Sequence, residues 1–92
     1  METSWWLDWS GLPERLLWAR LQVAEDGSAI VLDLDGVYHR FPNQQEARDW
    51  LIEDEYSTFT HLAEDGEIGP DVAPPVASSD PELVPHMLVK RT

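Results

Sequence analysis

Apolar and polar positions alternate along residues 18–41 with the period of two that marks β-strands. Three runs carry the alternation, 18–23, 29–34 and 37–41, and a turn signal separates each run from the next. The first turn signal is Glu25-Asp26-Gly27-Ser28. The second is Asp35-Gly36, in which glycine tolerates the positive φ of a tight two-residue hairpin turn. The segment therefore predicts a meander of three antiparallel strands.

A helix is predicted directly after the third strand. Pro42 ends that strand because proline has no N–H for the sheet ladder. Asn43 stands three residues before Glu46, the spacing of an N-cap that accepts hydrogen bonds from first-turn amides. From there to about Glu53 or Asp54 the sequence has helical periodicity, with one apolar stripe made of Ala47, Trp50 and Leu51. We expect this helix to cover one face of the sheet.

The two ends of the chain are less regular. Ser57 predicts the cap of a shorter helix that closes before Gly66. Ser4 predicts one turn of helix in the N-terminal segment. Residues 67–85 contain five of the seven prolines and predict an extended arm, with a fourth, edge strand at 86–90 left open as an option.

Together these patterns predict the α+β class and a single folded domain, which suits a chain of 92 residues. The sheet is a three- or four-stranded antiparallel β-meander that packs against one main α-helix and a shorter second helix. The domain occupies residues 1–66, including a Trp-rich N-terminal segment, and an extended Pro-rich arm occupies residues 67–92.

Composition excludes several classes of function. Eighteen acidic residues against six basic ones give a formal net charge of −12. This balance argues against direct contact with nucleic-acid phosphates or an anionic membrane surface, since both need clustered Lys and Arg. No apolar run approaches the roughly 18 residues of a membrane span, and the first residues lack the pattern of a secretory signal. The absence of cysteine excludes disulfides and thiolate metal sites, while five tryptophans supply apolar surface for a core.

An apolar strand followed by Asp-x-Asp-Gly-Val occupies residues 29–37. It resembles the first motif of the haloacid-dehalogenase phosphohydrolases. The resemblance implies Asp33 as the nucleophile, Asp35 as general acid and base, and Mg²⁺ as the ion that neutralises the phosphate. That family also needs a parallel sheet and a lysine near the phosphate, whereas the next element here is one turn away and the only lysine is Lys90. A hairpin turn is the simpler interpretation, and a Mg-dependent phosphohydrolase stays the second alternative.

The other chemistry-bearing residues match no known site pattern. The three histidines, His39, His61 and His86, lack the intervals of a zinc site. The acidic runs do not follow the alternating spacing of a calcium loop. We therefore expect no enzyme activity, no catalytic residue, no metal and no cofactor.

Three tryptophans, Trp5, Trp6 and Trp9, lie within five residues of one another and are called the tryptophan cluster here. A small domain seldom has room for five indoles, and tryptophan is enriched among interface anchors. The cluster therefore predicts a partner surface or, as an equal alternative, a cover over one end of the sheet.

The negative charge is concentrated in the second half of the chain. Residues 49–89 contain ten acidic residues and neither Lys nor Arg, while residues 1–48 contain eight acidic residues and four Arg. The densest acidic positions are Glu53, Asp54, Glu55, Glu64, Asp65 and Glu67. A solvated surface is the default interpretation, a docking face for a basic protein is the second, and a mimic of nucleic-acid phosphates is the third.

Three strings resemble small, uncharacterised acidic proteins of cyanobacteria. They are Gly11-Leu-Pro-Glu-Arg, Leu34-Asp-Gly-Val-Tyr-His-Arg-Phe41 and Glu46-Ala-Arg-Asp-Trp-Leu-Ile-Glu-Asp-Glu-Tyr-Ser57. The resemblance covers residues 11–66 and carries over no activity and no site residue. It implies an accessory role and a cytoplasmic location, with the periphery of photosynthetic membranes left open.

The sequence thus predicts a non-enzymatic protein-interaction module, an accessory, assembly or regulatory factor that docks on a larger, basic protein. Its expected contact residues are Trp5, Trp6, Trp9, Glu53, Asp54, Glu55, Glu64, Asp65 and Glu67. The first alternative is an acidic nucleic-acid mimic that occupies a DNA- or RNA-binding protein.

Overall fold

The computed structural model describes residues 1–8, 15–66, 68 and 72–90, without the side chain of Lys90. In chain order its elements are β1 (Glu2–Asp8), β2 (Arg15–Val23), β3 (Ala29–Leu32), β4 (Tyr38–Phe41), α1 (Gln44–Glu53), β5 (Ser57–Thr58), α2 (Phe59–Glu64), α3 (Asp80–Leu83), a 3₁₀ turn (Val84–His86) and β6 (Leu88–Lys90). The strand order is β4-β3-β2-β1-β5, with β6 paired to β2, and the pairings are antiparallel. The α+β class is confirmed, with six strands in the described residues where three or four were predicted.

The N-terminal segment is a strand, so the prediction of a helical turn at Ser4 is wrong. β1 pairs with β2 along its whole length, from Glu2 opposite Val23 to Asp8 opposite Leu17. Successive side chains of a strand point to opposite faces, so a run rich in apolar residues can bury side chains on both faces of a sheet. The free energy gained by burying β1 side chains on both faces of the sheet outweighs the local preference of Ser4 for a helix cap.

Both hairpin turns of the meander have three residues, whereas a two-residue turn was predicted at Asp35-Gly36. In the second, the Gly36 N–H donates to the Asp33 carbonyl at 3.1 Å, and the Asp33 N–H donates to the Val37 carbonyl at 3.1 Å. Gly36 has φ +81° and Gly27 of the first turn has φ +90°. A turn closed by a left-handed residue is the usual three-residue hairpin, and glycine adopts that conformation without a Cβ clash.

The main helix begins and ends where the sequence predicts. The Asn43 side chain accepts from the Glu46 N–H at 2.9 Å and caps α1. The second helix starts later than predicted, because Thr58 is its cap and Ser57 pairs with β1 in β5. A third short helix, α3, was not predicted, although Ser79 and Glu82 have the Ser-x-x-Glu spacing of a capping box.

The sheet is covered on both faces. On one face, α1 packs over a core cluster made of Trp6, Ala19, Leu21, Ala29, Val31, Ala47 and Leu51. On the other face, α2 and the C-terminal segment contribute to a second cluster made of Leu7, Leu16, Trp18, Leu32, Leu62, Val72, Leu83 and Met87. A single helix packs on only one face of a sheet, so α2 and the C-terminal segment supply the layer on the other face.

The C-terminal segment takes part in this second layer. Leu83 is 4% exposed and Met87 is fully buried, while β6 forms within the range of the optional edge strand at 86–90. The predicted division into residues 1–66 and 67–92 stays a prediction. None of the helices in the described part of the chain combines the length and apolar character that crossing a bilayer requires.

Candidate functional site

The tryptophan cluster does not form one surface. Trp5 and Trp6 are neighbours in β1 and therefore point to opposite faces of the sheet. Trp6 is 1% exposed, its Nε1 donates to Ser4 Oγ at 3.1 Å, and the Arg48 guanidinium lies 5.2 Å from its ring centroid. The indole of Trp6 therefore belongs to the core, and its predicted contact with a partner stays a prediction.

The remaining members of the cluster differ from each other. Trp5 is half-buried and meets Trp18 edge to face, with ring centroids 6.1 Å apart. Trp9 lies outside the described residues. Trp5 alone keeps some exposed indole surface among the two described members.

The predicted acidic contacts follow two different helices. Glu53 is the last residue of α1, and Asp54 and Glu55 follow it, all three exposed. Glu64 is the last residue of α2, and the Asp65 carboxylate lies 3.1 Å from His61 Nε2. Since α1 and α2 pack on opposite faces of the sheet, the two runs border different faces. Glu67 lies outside the described residues.

The acidic residues of the described chain do not form one row. Exposed carboxylates occur in the first hairpin turn at Glu25, in the second at Asp35, on α1 at Asp49 and on α3 at Glu82. A mimic of duplex phosphates needs its charges along one face at regular spacing. This distribution offers no support for that alternative.

The structure brings one group of chemically active side chains together in a cleft of about 210 Å³. We call it the acidic cleft, and its lining residues are Ala19, Asp33, Leu34, Asp35, His39, Trp50, Leu51, Asp54 and Tyr56. The turn between β3 and β4 supplies two carboxylates, and the end of α1 supplies the third. The cleft thus joins two features that the sequence places about 20 residues apart, the Asp-x-Asp motif and the acidic end of α1.

The Asp33 carboxylate forms hydrogen bonds within its own hairpin. Its Oδ1 accepts from the Asp35 N–H at 2.9 Å and the Val37 N–H at 3.0 Å, and its Oδ2 lies 2.7 Å from His39 Nε2. Burial raises the pKa of Asp33, but the hydrogen bonds from His39 and the two amides outweigh burial and hold this pKa below its usual value. The hydrogen bonds and the lowered pKa of Asp33 therefore follow from its place in the turn, and they require no nucleophilic role.

Aromatic rings form one side of the acidic cleft. The His39 ring lies 4.5 Å from the Trp50 ring at 35°, and Phe41 packs on Trp50 at 5.7 Å. These contacts hold Trp50 of α1 against β4, and part of the residue stays exposed. Tyr56 follows α1 and is held by its N–H, which donates to the Leu51 carbonyl at 2.9 Å.

The electrostatic field in the cleft is negative. Burial first, and then the charges of Asp8, Asp54, Asp33 and Asp35, together raise the pKa of Tyr56 to about 12. Negative neighbours disfavour the phenolate, so the four carboxylates add to the effect of burial on this pKa. A cation placed there would be stabilised by the same charges.

Two of the carboxylates are available to a ligand. Asp35 and Asp54 are exposed, and within the described ranges no side-chain donor or cation pairs with either of them. No three His, Asp or Glu side chains of the described residues stand close enough together to hold a metal ion. The cleft thus presents two exposed carboxylates beside an aromatic face.

Sequence reasoning found the carboxylates of this cleft but not its aromatic wall. Asp54 was predicted as a partner contact and Asp33 and Asp35 only as the unlikely hydrolase pair. His39, Trp50 and Tyr56 were missed, since strand pairing and helix packing bring them together. The spacing of Trp50 and Asp54, one helical turn apart, was the signal that could have placed both at the same end of α1. Comparison with family models, with curated proteins and with solved structures finds no match to this chain.

Proposed function

We propose that this protein is a non-enzymatic interaction module, an accessory, assembly or regulatory factor that docks on a larger, basic protein. The acidic cleft is the proposed primary contact, and it accepts one arginine or lysine side chain of the partner. The observation that carries the proposal is the meeting of three carboxylates and two aromatic rings, Trp50 and Tyr56, in one concave site.

The chemistry of the cleft favours an organic cation. A guanidinium or ammonium group is attracted to an aromatic face and hydrogen-bonds to carboxylates, and both kinds of group line this cleft. A volume of about 210 Å³ accommodates one side chain rather than a folded surface. Arginine fits better than lysine, since its planar guanidinium stacks on a ring while donating to two carboxylates.

The surrounding charge supports the same choice of partner. Glu53 and Glu55 flank Asp54 and are exposed, and the whole chain carries −12. Such a field accelerates the encounter with a basic protein and orients it, while the cleft supplies the contact that depends on shape. A cytoplasmic location, with the periphery of photosynthetic membranes left open, belongs to the same proposal because it derives only from the resemblance of residues 11–66.

The test is a titration of the ¹⁵N-labelled full chain with a short peptide that carries one arginine and no other charge. We expect signals of Asp35, Asp54 and the Trp50 indole to shift. Asp54→Asn should weaken binding by about fivefold, equivalent to about 1 kcal/mol for one exposed charged contact. Binding should also weaken as salt rises, because exposed charges are screened.

The matched control is Glu25→Gln. It removes one exposed charge in the turn of the β2–β3 hairpin, at the end of that hairpin away from the cleft. It should leave the peptide affinity unchanged. The same peptide with glutamine in place of arginine should not bind. Equal weakening by Glu25→Gln and Asp54→Asn, or shifts spread over the whole surface, would show diffuse charge attraction and remove the cleft from the proposal.

A further inference from the structure

Residues 72–90 lie over the face of the sheet opposite α1, and we call them the C-terminal cover. Val72, Leu83 and Met87 of the cover are buried in one cluster with Trp18 of β2. Beneath them, Trp18 is fully buried and contacts two further rings, Trp5 at 6.1 Å and Phe59 at 5.7 Å between centroids. The cover therefore conceals an aromatic part of the sheet.

Two polar atoms beneath the closed cover have no hydrogen-bond partner among the described residues. They are Trp18 Nε1 and Arg20 Nε, and both are buried. Both residues belong to β2 and, being two positions apart, project to the same, covered face. A buried donor without a partner costs about 1–3 kcal/mol, and water would satisfy both atoms if the cover were displaced.

The cover is also packed incompletely. A groove of about 460 Å³ lies between its first part, with Pro75 and Val76, and its last part, with His86 and Val89, and Trp18 is among the lining residues. Val76 is 91% exposed although it is apolar. The groove is open to solvent and Val76 buries almost none of its apolar surface, so this part of the second layer contributes less stability than a fully packed segment would.

A small set of polar contacts holds the cover in place. The Arg20 guanidinium donates two bonds to Asp80, at 2.8 and 3.0 Å, and the Tyr38 hydroxyl donates to the same carboxylate. We call these three side chains the Asp80 latch. β6 adds three residue pairs with β2, against seven between β1 and β2, and the Trp18 N–H donates to the Met87 carbonyl at 2.8 Å.

We propose that the C-terminal cover is a displaceable strap, which opens as a unit from an otherwise folded sheet and is held closed by the Asp80 latch. Opening hydrates Trp18 Nε1 and Arg20 Nε and presents the aromatic face formed by Trp5 and Trp18. The strap thus conceals an apolar surface in the closed form. It is independent of the acidic cleft and of the proposed function.

Hydrogen exchange of the full chain separates this opening from global unfolding. Successive residues of a strand direct their N–H groups to opposite edges, so the Trp18 amide reports the strap while the Ala19 amide reports the pairing with β1. If the strap opens alone, the Trp18 amide exchanges at least about tenfold faster than the Ala19 amide. Asp80→Asn should accelerate Trp18 by roughly another tenfold and leave Ala19 unchanged.

Glu82→Gln is the matched control, because it removes one charge from α3 without touching the sheet. It should leave the exchange of Trp18 as in the wild type. If Asp80→Asn does not fold, Tyr38→Phe removes a single latch bond and should accelerate Trp18 by a smaller factor. Equal exchange rates for Trp18 and Ala19 in the wild type and the latch variant would overturn the proposal, since the strap and the sheet would then open together.

Discussion

Tyr56 illustrates how single residues of this chain acquire properties that their sequence neighbours do not explain. It lies between the end of α1 and β5, and the turn between β3 and β4 brings Asp33 and Asp35 close enough to act on its phenol. Neighbouring carboxylates and burial act in the same direction on a phenol, since both disfavour its anion. The residue is therefore an internal probe of the acidic cleft.

We expect Tyr56 to ionise at a pKa of about 12. Because the unfolded value is about 10, the protonated phenol stabilises the fold fully below pH 10, and this contribution is lost as pH rises from about 10 to about 12. Ultraviolet titration of the phenols, with Tyr56→Phe to assign the signal, measures the value. Asp54→Asn should lower the pKa and Glu25→Gln should not; an unchanged pKa in Asp54→Asn would contradict the field assigned to the cleft.

At the scale of elements, the cap of α1 and the positions of the two hairpins agree with the sequence, because the contacts that decide them are local. The Asn43 cap of α1 lies three residues from its donor, and the left-handed glycines close their own hairpins. β1 and α3 behave differently. β1 is a strand because β2 lies beside it, and α3 is held against the sheet by a contact that spans 60 residues, from Asp80 to Arg20.

The end of α1 carries a local conflict that can be measured. Glu55 follows the C-cap with φ +67°, the conformation in which glycine is the usual residue after a helix. We expect Glu55→Gly to be more stable than Glu55→Ala by about 1 kcal/mol, because both lose the side chain but only glycine avoids the Cβ clash. Urea unfolding of the two variants gives the difference. Equal stability would mean that the left-handed backbone costs nothing at this position.

At the scale of the whole molecule, the protein is a sheet between two unequal layers. The α1 layer is one regular helix, while the second layer combines the short helices α2 and α3 with an irregular segment. Both buried unpartnered polar atoms found among the described residues lie under the second layer. This asymmetry is the reason why the two proposals concern different regions, a cleft beside α1 and a strap on the other face.

The net charge of −12 should also destabilise the compact state through self-repulsion. At pH 7 we expect the urea midpoint to rise between 0.01 M and 1 M NaCl, because the screening length falls from roughly 30 Å to roughly 3 Å. Near the isoelectric point, pH 4.3, the same change in salt should have little effect. A midpoint that falls with salt at pH 7 would mean that attractive pairs such as Arg20–Asp80 outweigh the repulsion.

The sequence by itself determined the meander, the main helix with its Asn43 cap and the acidic character, since each depends on short-range periodicity or on counting residues. Only the tertiary structure decided that Trp6 is core, that β1 is a strand and that Asp33, Asp54 and Tyr56 share a cleft. The physical reason is that burial is set by what covers a face. Periodicity shows that a face is apolar, whereas strand pairing and packing between distant segments decide which atoms lie against it.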